Sequence, residues 1–338
     1  MRRLALVIAA IAVPAMPRVC SAQWTAASED RGFLDRPPVY VNNEPDFPLT
    51  GLGVLMPDPG VIAPDVDLSG VRADHFYRSG FNVQPGLDIE INWIRVGALR
   101  GFKDGWAAGV SIPFYRNKVK GTIGGRPATS IAEGFGNIAL GVKKLLRQDR
   151  GGGRLIIAGA VELPSGKSNS IFGQNNFVTN GYYTGFPQRV PLGWQPSTGT
   201  FNGLLALSYG RSHGRFSYEY LLAGKVYGAG DEDVKVGDIF ITAVTGTYGI
   251  SRSLAGSLGL TLRSQADDTY PNAPPPGVNQ PALAGTTTHG TILYLDAGVR
   301  YQIMGKVTVG FGVRTPIVEP GNGMVPNTQF SVIFYPSI

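Results

Sequence analysis

Cysteine is almost missing from this chain of 338 residues, and the single one, Cys20, lies in a segment expected to be removed. A mature chain without cysteine has no disulfide, no thiolate metal site and no cysteine nucleophile, even in an oxidising compartment. Histidine is scarce too: His75, His213 and His289 stand far apart and make no metal-ligand spacing. Charged residues make up only 16%, against about 25% in an ordinary soluble domain, which argues against a water-soluble globule. No basic cluster with interleaved aromatics occurs, so nucleic acid is not an expected partner. Past the first segment there is no apolar run near the ~18 residues of a membrane helix.

What is present begins with an export signal at residues 1–22. Arg2 and Arg3 form its basic start, Leu4 to Ala12 its apolar run, and Cys20-Ser21-Ala22 a small-residue cleavage site before Gln23. A lipoprotein signal needs small or apolar residues before its cysteine, and Pro17-Arg18-Val19 fit that poorly, so ordinary cleavage is the reading adopted. Losing Arg2, Arg3 and Arg18 leaves 27 basic against 24 acidic residues, a net +3. Residues 23–69 then form a region rich in proline and aspartate, from Pro37-Pro38 through Pro57, Pro59 and Pro64. The prolines preclude a helix and any central strand. Either a periplasmic lead-in or a plug in a barrel mouth fits this segment.

Residues 70–338 carry a different rhythm. Twelve segments alternate apolar and polar residues: 70–82, 86–99, 104–117, 134–147, 153–165, 199–211, 214–227, 237–249, 253–265, 290–303, 305–316 and 326–337. Their links are alternately short and long. Arg100 to Lys103, Gln148 to Gly152, Arg211 to Gly214, Ile250 to Arg252 and Met304-Gly305 carry turn chemistry. Links 118–133, 166–198, 228–236, 266–289 and 317–325 are longer, and only the one near Gln84-Pro85-Gly86 breaks the pattern by being brief. Two-sided strands with alternating link lengths predict a closed antiparallel transmembrane β-barrel of about 12 strands in an outer membrane, its short turns and both ends periplasmic. Outer-membrane lipid and the barrel-assembly machinery are then the expected partners. With no aromatic at the terminal position, recognition by that machinery would use Phe334 or Tyr335.

One face of each strand should meet lipid. Trp106, Val110, Ile112 and Phe114 read so, as do Phe216, Tyr218, Tyr220 and Leu222, and also Leu87, Ile89, Ile91 and Trp93. The other face should line the lumen. It is read as Asp88, Glu90, Asn92, Glu162, Glu219, Lys225, Asp238, Phe240, Arg263, Tyr294, Asp296, Arg300 and Arg314, with Leu204 and Val244 adding apolar surface. A charge facing lipid at mid-depth would cost about 2–4 kcal/mol, which is the energetic reason for this placement. Small residues such as Gly109, Ala139, Ala160 and Gly312 share the inner face and leave room for a passage. A lining that mixes ions with apolar groups suits a small, partly apolar solute. The same charges also suit pairs that merely fill the interior.

Two motifs imitate catalysis. Gly210-Arg211-Ser212-His213-Gly214 matches G-x-S-x-G, but that elbow needs a helix after the serine, and here a strand follows. Ser165-Gly166-Lys167-Ser168 imitates the end of a phosphate loop, yet Val161 stands where its first glycine belongs. No catalytic residue, cofactor or metal is therefore assigned; a lipid-acting barrel enzyme using Ser212 remains an alternative, as do a barrel with a sealed lumen and a secreted β-sandwich.

Three stretches carry a family resemblance: Gly134 to Lys144, a glycine-led strand; Val161 to Lys167, a strand ending in Leu-Pro-x-Gly; and Gly237-Asp238-Ile239, a Gly-Asp strand opening. With Pro57-Asp58-Pro59-Gly60 before the first strand, the chain from about residue 55 to 338 resembles the outer-membrane transporter-like family associated with meta-pathway phenol degradation. Asn137 departs from it, standing where the family usually has aspartate. The resemblance implies uptake of small hydrophobic or aromatic, phenol-like compounds. Independently of it, the aromatics of the long link 166–198 read as a capture surface for such a solute.

Overall fold

The computed structural model describes residues 56–78, 81–82, 88–123, 126–149, 151–166, 196–229, 235–266, 290–303, 307–318 and 323–336. The signal segment, most of the Pro-rich region and the aromatics of residues 172–194 lie outside them. The described chain is almost entirely strand. In order these are β1 (Ile62–Arg78), β2 (Phe81–Asn82), β3 (Asp88–Phe102), β4 (Trp106–Ile123), β5 (Arg126–Phe135), β6 (Ile138–Gln148), β7 (Arg154–Leu163) and β8 (Asn202–His213). They continue with β9 (Phe216–Tyr227), β10 (Ile239–Gly249), β11 (Leu254–Gln265), β12 (Gly290–Ile303), β13 (Val307–Val318), β14 (Gly323–Pro326) and β15 (Gln329–Pro336).

Twelve of these close a ring. Starting at β1, antiparallel pairs run through β3, β4, β6 to β13 and β15, and β15 returns to β1 from Val66↔Phe334 to Gly70↔Phe330. The three others are continuations: β5 extends β6 past Gly136-Asn137, β14 extends β15 past Asn327-Thr328, and β2 folds back on β1. A ring without an open edge excludes two stacked sheets. The sandwich alternative is thereby overturned.

Short connections gather at one end. Lys103–Gly105 makes a single 3-10 turn, and Asp149 to Gly153, Gly214-Arg215 and Ile250 to Ser253 make the others described. Asp149 accepts the N–H groups of Gly151 and Gly153 at 2.9 and 2.7 Å, and these bonds, Gly153 first, hold its carboxyl below the usual carboxylate range. The turn Met304-Gly305 lies outside the described residues. The start of β1 and the end of β15 share this end, as the parity of link lengths predicts.

The outer surface carries an apolar belt of constant height. Phe114 and Trp106 bound it on β4, Phe201 just before β8 and Tyr209 on it, Phe240 and Tyr248 on β10, Leu293 and Tyr301 on β12. Each pair is eight residues apart, which at ~3.3 Å per residue and a tilt of about 40° gives roughly 20 Å. Rings at both margins, such as the edge-to-face pair Phe114 and Phe135 at 5.5 Å, match the interfacial girdles of membrane barrels.

Three segments depart from the sequence expectation. β1 starts at Ile62, eight residues before the predicted strand, and takes in Pro64. Pro64 faces β3 at Ala98, whereas pairing with β15 begins only at Val66, so its missing N–H breaks no second ladder. Link 118–133 is a hairpin, because β4 runs to Ile123 and β5 returns along it. β3 is turned inside out relative to the prediction: Ile89 and Trp93 are buried inside, while Ile94 and Val96 are exposed on the belt.

The reason is length. β3 has 15 residues, more than the belt needs. Below Trp93 its apolar face looks out to lipid. Above it the wall stands clear of the belt, so the outward face is wet and the apolar residues pack inward. Asp88, Glu90 and Asn92 belong to this wet upper face, where Asp88 pairs with Arg72 at 2.7 Å and Lys120 at 3.6 Å.

Candidate functional site

The inward positions of the ring are buried or half-buried, and their polar members gather into groups at different strands. Near the loop end of β7 to β9, Lys225 Nζ lies 2.7 Å from Glu162 Oε1, and Asn202 donates to Glu162 Oε2 at 2.6 Å. Thr200 donates to Asn202 Oδ1 at 2.7 Å, and the Lys225 ammonium sits 4.7 Å from the centre of the Tyr227 ring. Register explains the meeting: Leu204↔Lys225 and Glu162↔Asn202 are cross-strand partners on the same face.

This group also anchors a piece of chain. Residues 196–200, which lead into β8, lie against the bulge between β5 and β6. Asn137 donates to Thr198 at 3.1 Å and to the Thr200 carbonyl at 3.4 Å, and accepts from Ser197. An aspartate at 137 could accept but not donate, so the departure from the family pattern supplies bonds that a carboxylate lacks. Ser165 locks the other side of the bulge, accepting from the Ile138 N–H at 2.8 Å and donating to the Gly136 carbonyl at 3.4 Å.

Across the ring the wall is more ionic. Arg314 Nε donates to Asp296 Oδ1 at 2.6 Å, Thr261 donates to Asp296 Oδ2 at 2.6 Å, and the guanidinium of Arg314 lies 5.2 Å from the Tyr294 ring centre. Arg263 donates to Gln265 at 2.9 Å, and Arg300 is buried lower on β12. On β1 and β3, Asp67 pairs with Arg95 at 3.0 Å and accepts from Ser69 at 2.7 Å, and Ser69 reaches Ser331 of β15 at 3.0 Å. Lys143 of β6 and Glu219 of β9 attract one another on the remaining arc.

Between the charges of β6 to β10 runs a continuous apolar surface. Leu204, Leu221, Ile239 and Ile241 form its bulk, and alanines from Ala139 to Ala243 keep it low. The inner wall of β6–β10 is thus mostly hydrocarbon, interrupted by Glu162 with Lys225 and by Lys143 with Glu219, while β11–β3 carries Asp296 with Arg314 and Asp67 with Arg95.

Eight of the sequence-assigned residues face inward: Glu162, Glu219, Lys225, Arg263, Tyr294, Asp296, Arg300 and Arg314. Five do not. Asp88, Glu90 and Asn92 sit on the outside of the upper wall. Phe240 is 39% exposed on the lipid belt, as is Val244 at 40%. Asp238 lies just ahead of β10, accepting the Tyr227 N–H at 3.0 Å and Lys235 at 3.1 Å, and so anchors a loop. On β10 both faces are apolar enough that the phase is ambiguous, and reading Asp238 as part of the strand shifts it by one.

Asp65, Asp67, Arg95 and Lys143 are interior residues that sequence reasoning missed. The signal was present for two of them: Ile62, Val66 and Leu68 alternate with Ala63, Asp65, Asp67 and Ser69. The surrounding prolines hid it.

The catalytic imitations dissolve in the fold. Ser212 lies opposite Ser217 in the β8–β9 hairpin, strand to strand, with Gly214 at φ 61° making the turn. Ser165-Gly166 packs on the β5–β6 bulge, where a Cβ at Gly166 would collide with the Phe135 carbonyl. Among the described residues no cluster of His, Cys, Asp and Glu suits a metal ion.

No family model matches the chain, and no curated protein matches it in sequence. Solved structures do match. An outer membrane channel from Pseudomonas putida F1 superposes with a TM-score of 0.62 at 12% identity, over 85% of this chain and 98% of the other. The NanC porin gives 0.45 at 10% identity, covering 82% and 100%, and the β domain of the Bordetella autotransporter BrkA gives 0.45 at 12%, covering 83% and 100%. At 12% identity the first likeness establishes the barrel fold.

Proposed function

We propose that the protein is a passive channel in an outer membrane that admits small hydrophobic or aromatic compounds, phenol-like molecules among them. The observation that carries this reading is the hydrocarbon arc inside the ring, where Leu204, Leu221, Ile239 and Ile241 line the wall. A wide salt-filled pore has no use for leucine and isoleucine on its inner face, whereas an apolar solute that came to pack against them would leave water favourably, at ~25 cal/mol per Å² of its own surface. The ion pairs of the inner wall supply hydrogen-bonding partners for a hydroxyl. The outward belt and the resemblance to phenol-pathway barrels support the location and the solute class.

In this reading the short turns face the periplasm and the long links face outward. Assembly would be through the machinery that reads the last strand, with Phe334 of β15 exposed on the belt as its aromatic signal. The chain reconstituted in liposomes is expected to speed entry of phenol well above protein-free vesicles and to leave arabinose entry slow. Phenol entry equal to protein-free vesicles would overturn the proposal.

A structural barrel with a sealed lumen is the second reading, favoured by the burial of Asp67, Arg95, Asp296 and Arg314. It predicts neither phenol flux nor single-channel conductance.

A further inference from the structure

The two ends of the barrel differ in charge. Among the described residues of the loop end, exposed cations stand beside carboxylates: Arg72 and Lys120 flank Asp88, and Arg116 lies 3.7 Å from Glu133. The turn end is strongly basic. Arg100, Lys103, Arg147, Arg215 and Arg252 are exposed there and Lys144 is half-exposed, against exposed Asp58 and Asp104 and half-exposed Asp149 among the described residues.

Two of these cations are arranged rather than scattered. Phe102, Trp106 and Lys144 are cross-strand partners on β3, β4 and β6, and all three point outward at the lower margin of the belt. The Lys144 ammonium lies 4.8 Å from the centre of the Trp106 ring and donates to the Asp104 carbonyl. The Arg100 guanidinium lies 5.7 Å from the Phe102 ring centre. Each cation thus rests on an aromatic face at the depth where hydrocarbon gives way to headgroups, with its stem along the apolar wall.

We propose that this lip of β3, β4 and β6 binds the phosphate of an anionic glycerophospholipid in the periplasmic leaflet. The proposal rests on the membrane orientation given above and not on what the lumen carries. Phenylalanine and tryptophan seat the first methylenes of the acyl chains. Arg100 and Lys144 face the phosphate with N–H donors, and the surplus cations of the rim raise the local concentration of anionic lipid.

The test uses the full chain reconstituted in phosphatidylcholine alone, in phosphatidylcholine with phosphatidylglycerol, and in phosphatidylcholine with lipid A. Native mass spectrometry then counts the lipids retained. Phosphatidylglycerol is expected to stay bound in preference to phosphatidylcholine, and to be released by salt. Arg100→Gln and Lys144→Gln should each weaken retention by about fivefold, while Arg116→Gln at the loop end leaves it unchanged. Equal retention of the two phospholipids by the unaltered chain would overturn the proposal without any variant. So would preferential retention of lipid A, or a folded double variant that keeps phosphatidylglycerol as the parent does. Phenol flux measured on the same vesicles separates the outcomes, since loss of lipid retention with flux intact bears on this lip alone.

Discussion

Glu162 and Lys225 show what a charge costs inside a barrel wall. Both side chains are at most 5% exposed, and each has a second partner, Asn202 for the carboxylate and the Tyr227 ring for the ammonium. Breaking such a pair by removing one member strands a buried charge at about 3–5 kcal/mol, whereas replacing both with apolar groups of similar size is near neutral. Lys225→Met should therefore lower the denaturant midpoint of the folded barrel strongly, and Glu162→Leu with Lys225→Met should recover most of the loss. A double variant as unstable as the single one would mean that the pair positions 196–200 rather than neutralising itself. At this scale the sequence was legible where a charged residue stood within an unambiguous strand, as at Asp296, Arg300 and Arg314. At Lys143 the signal was there but unread: Ala139, on the inner face, stands four residues before it, and alternation carries that face to Lys143.

β3 carries the lesson at the scale of the element. Its alternation is clear throughout, yet the meaning reverses near Trp93, where the strand leaves the apolar belt. Period two identifies a strand and its two faces; which face is outside depends on what surrounds each stretch. Val96 and Glu90 share the outward face on either side of the boundary. Val96→Arg is expected to cost about 2–4 kcal/mol of stability in lipid, while Glu90→Arg costs little. Equal effects of the two, read by heat-modifiable migration and urea titration in vesicles, would mean that the belt extends to Glu90. β1 teaches the complementary point. Pro64 argued against a strand, but proline is harmful only where a second ladder would use its N–H, and pairing with β15 starts beyond it.

For the whole molecule, closure is the organising fact. Link lengths alone predicted an even ring with its short turns on one side, and the pairing of β15 with β1 completes it. The orientation proposed above rests on the same links and is open to direct measurement. Because the only cysteine falls in residues 1–22, single cysteines can be placed at either end without background. Lys120→Cys is expected to react with an impermeant maleimide on intact cells, and Arg252→Cys only after the cells are opened. The reverse labelling would place the basic rim outside and redirect both proposals.

Strand number and alternation were settled by local chemistry, since period two and turn residues need no distant partner. Which side of each strand became the lumen was decided only by closure. A face has no inside until the ring exists, and Asp67 met Arg95, or Asp296 met Arg314, because neighbouring registers brought them to one height. The apolar inner wall of β6–β10, with ion pairs set into it, is likewise a property of the ring and of no single strand.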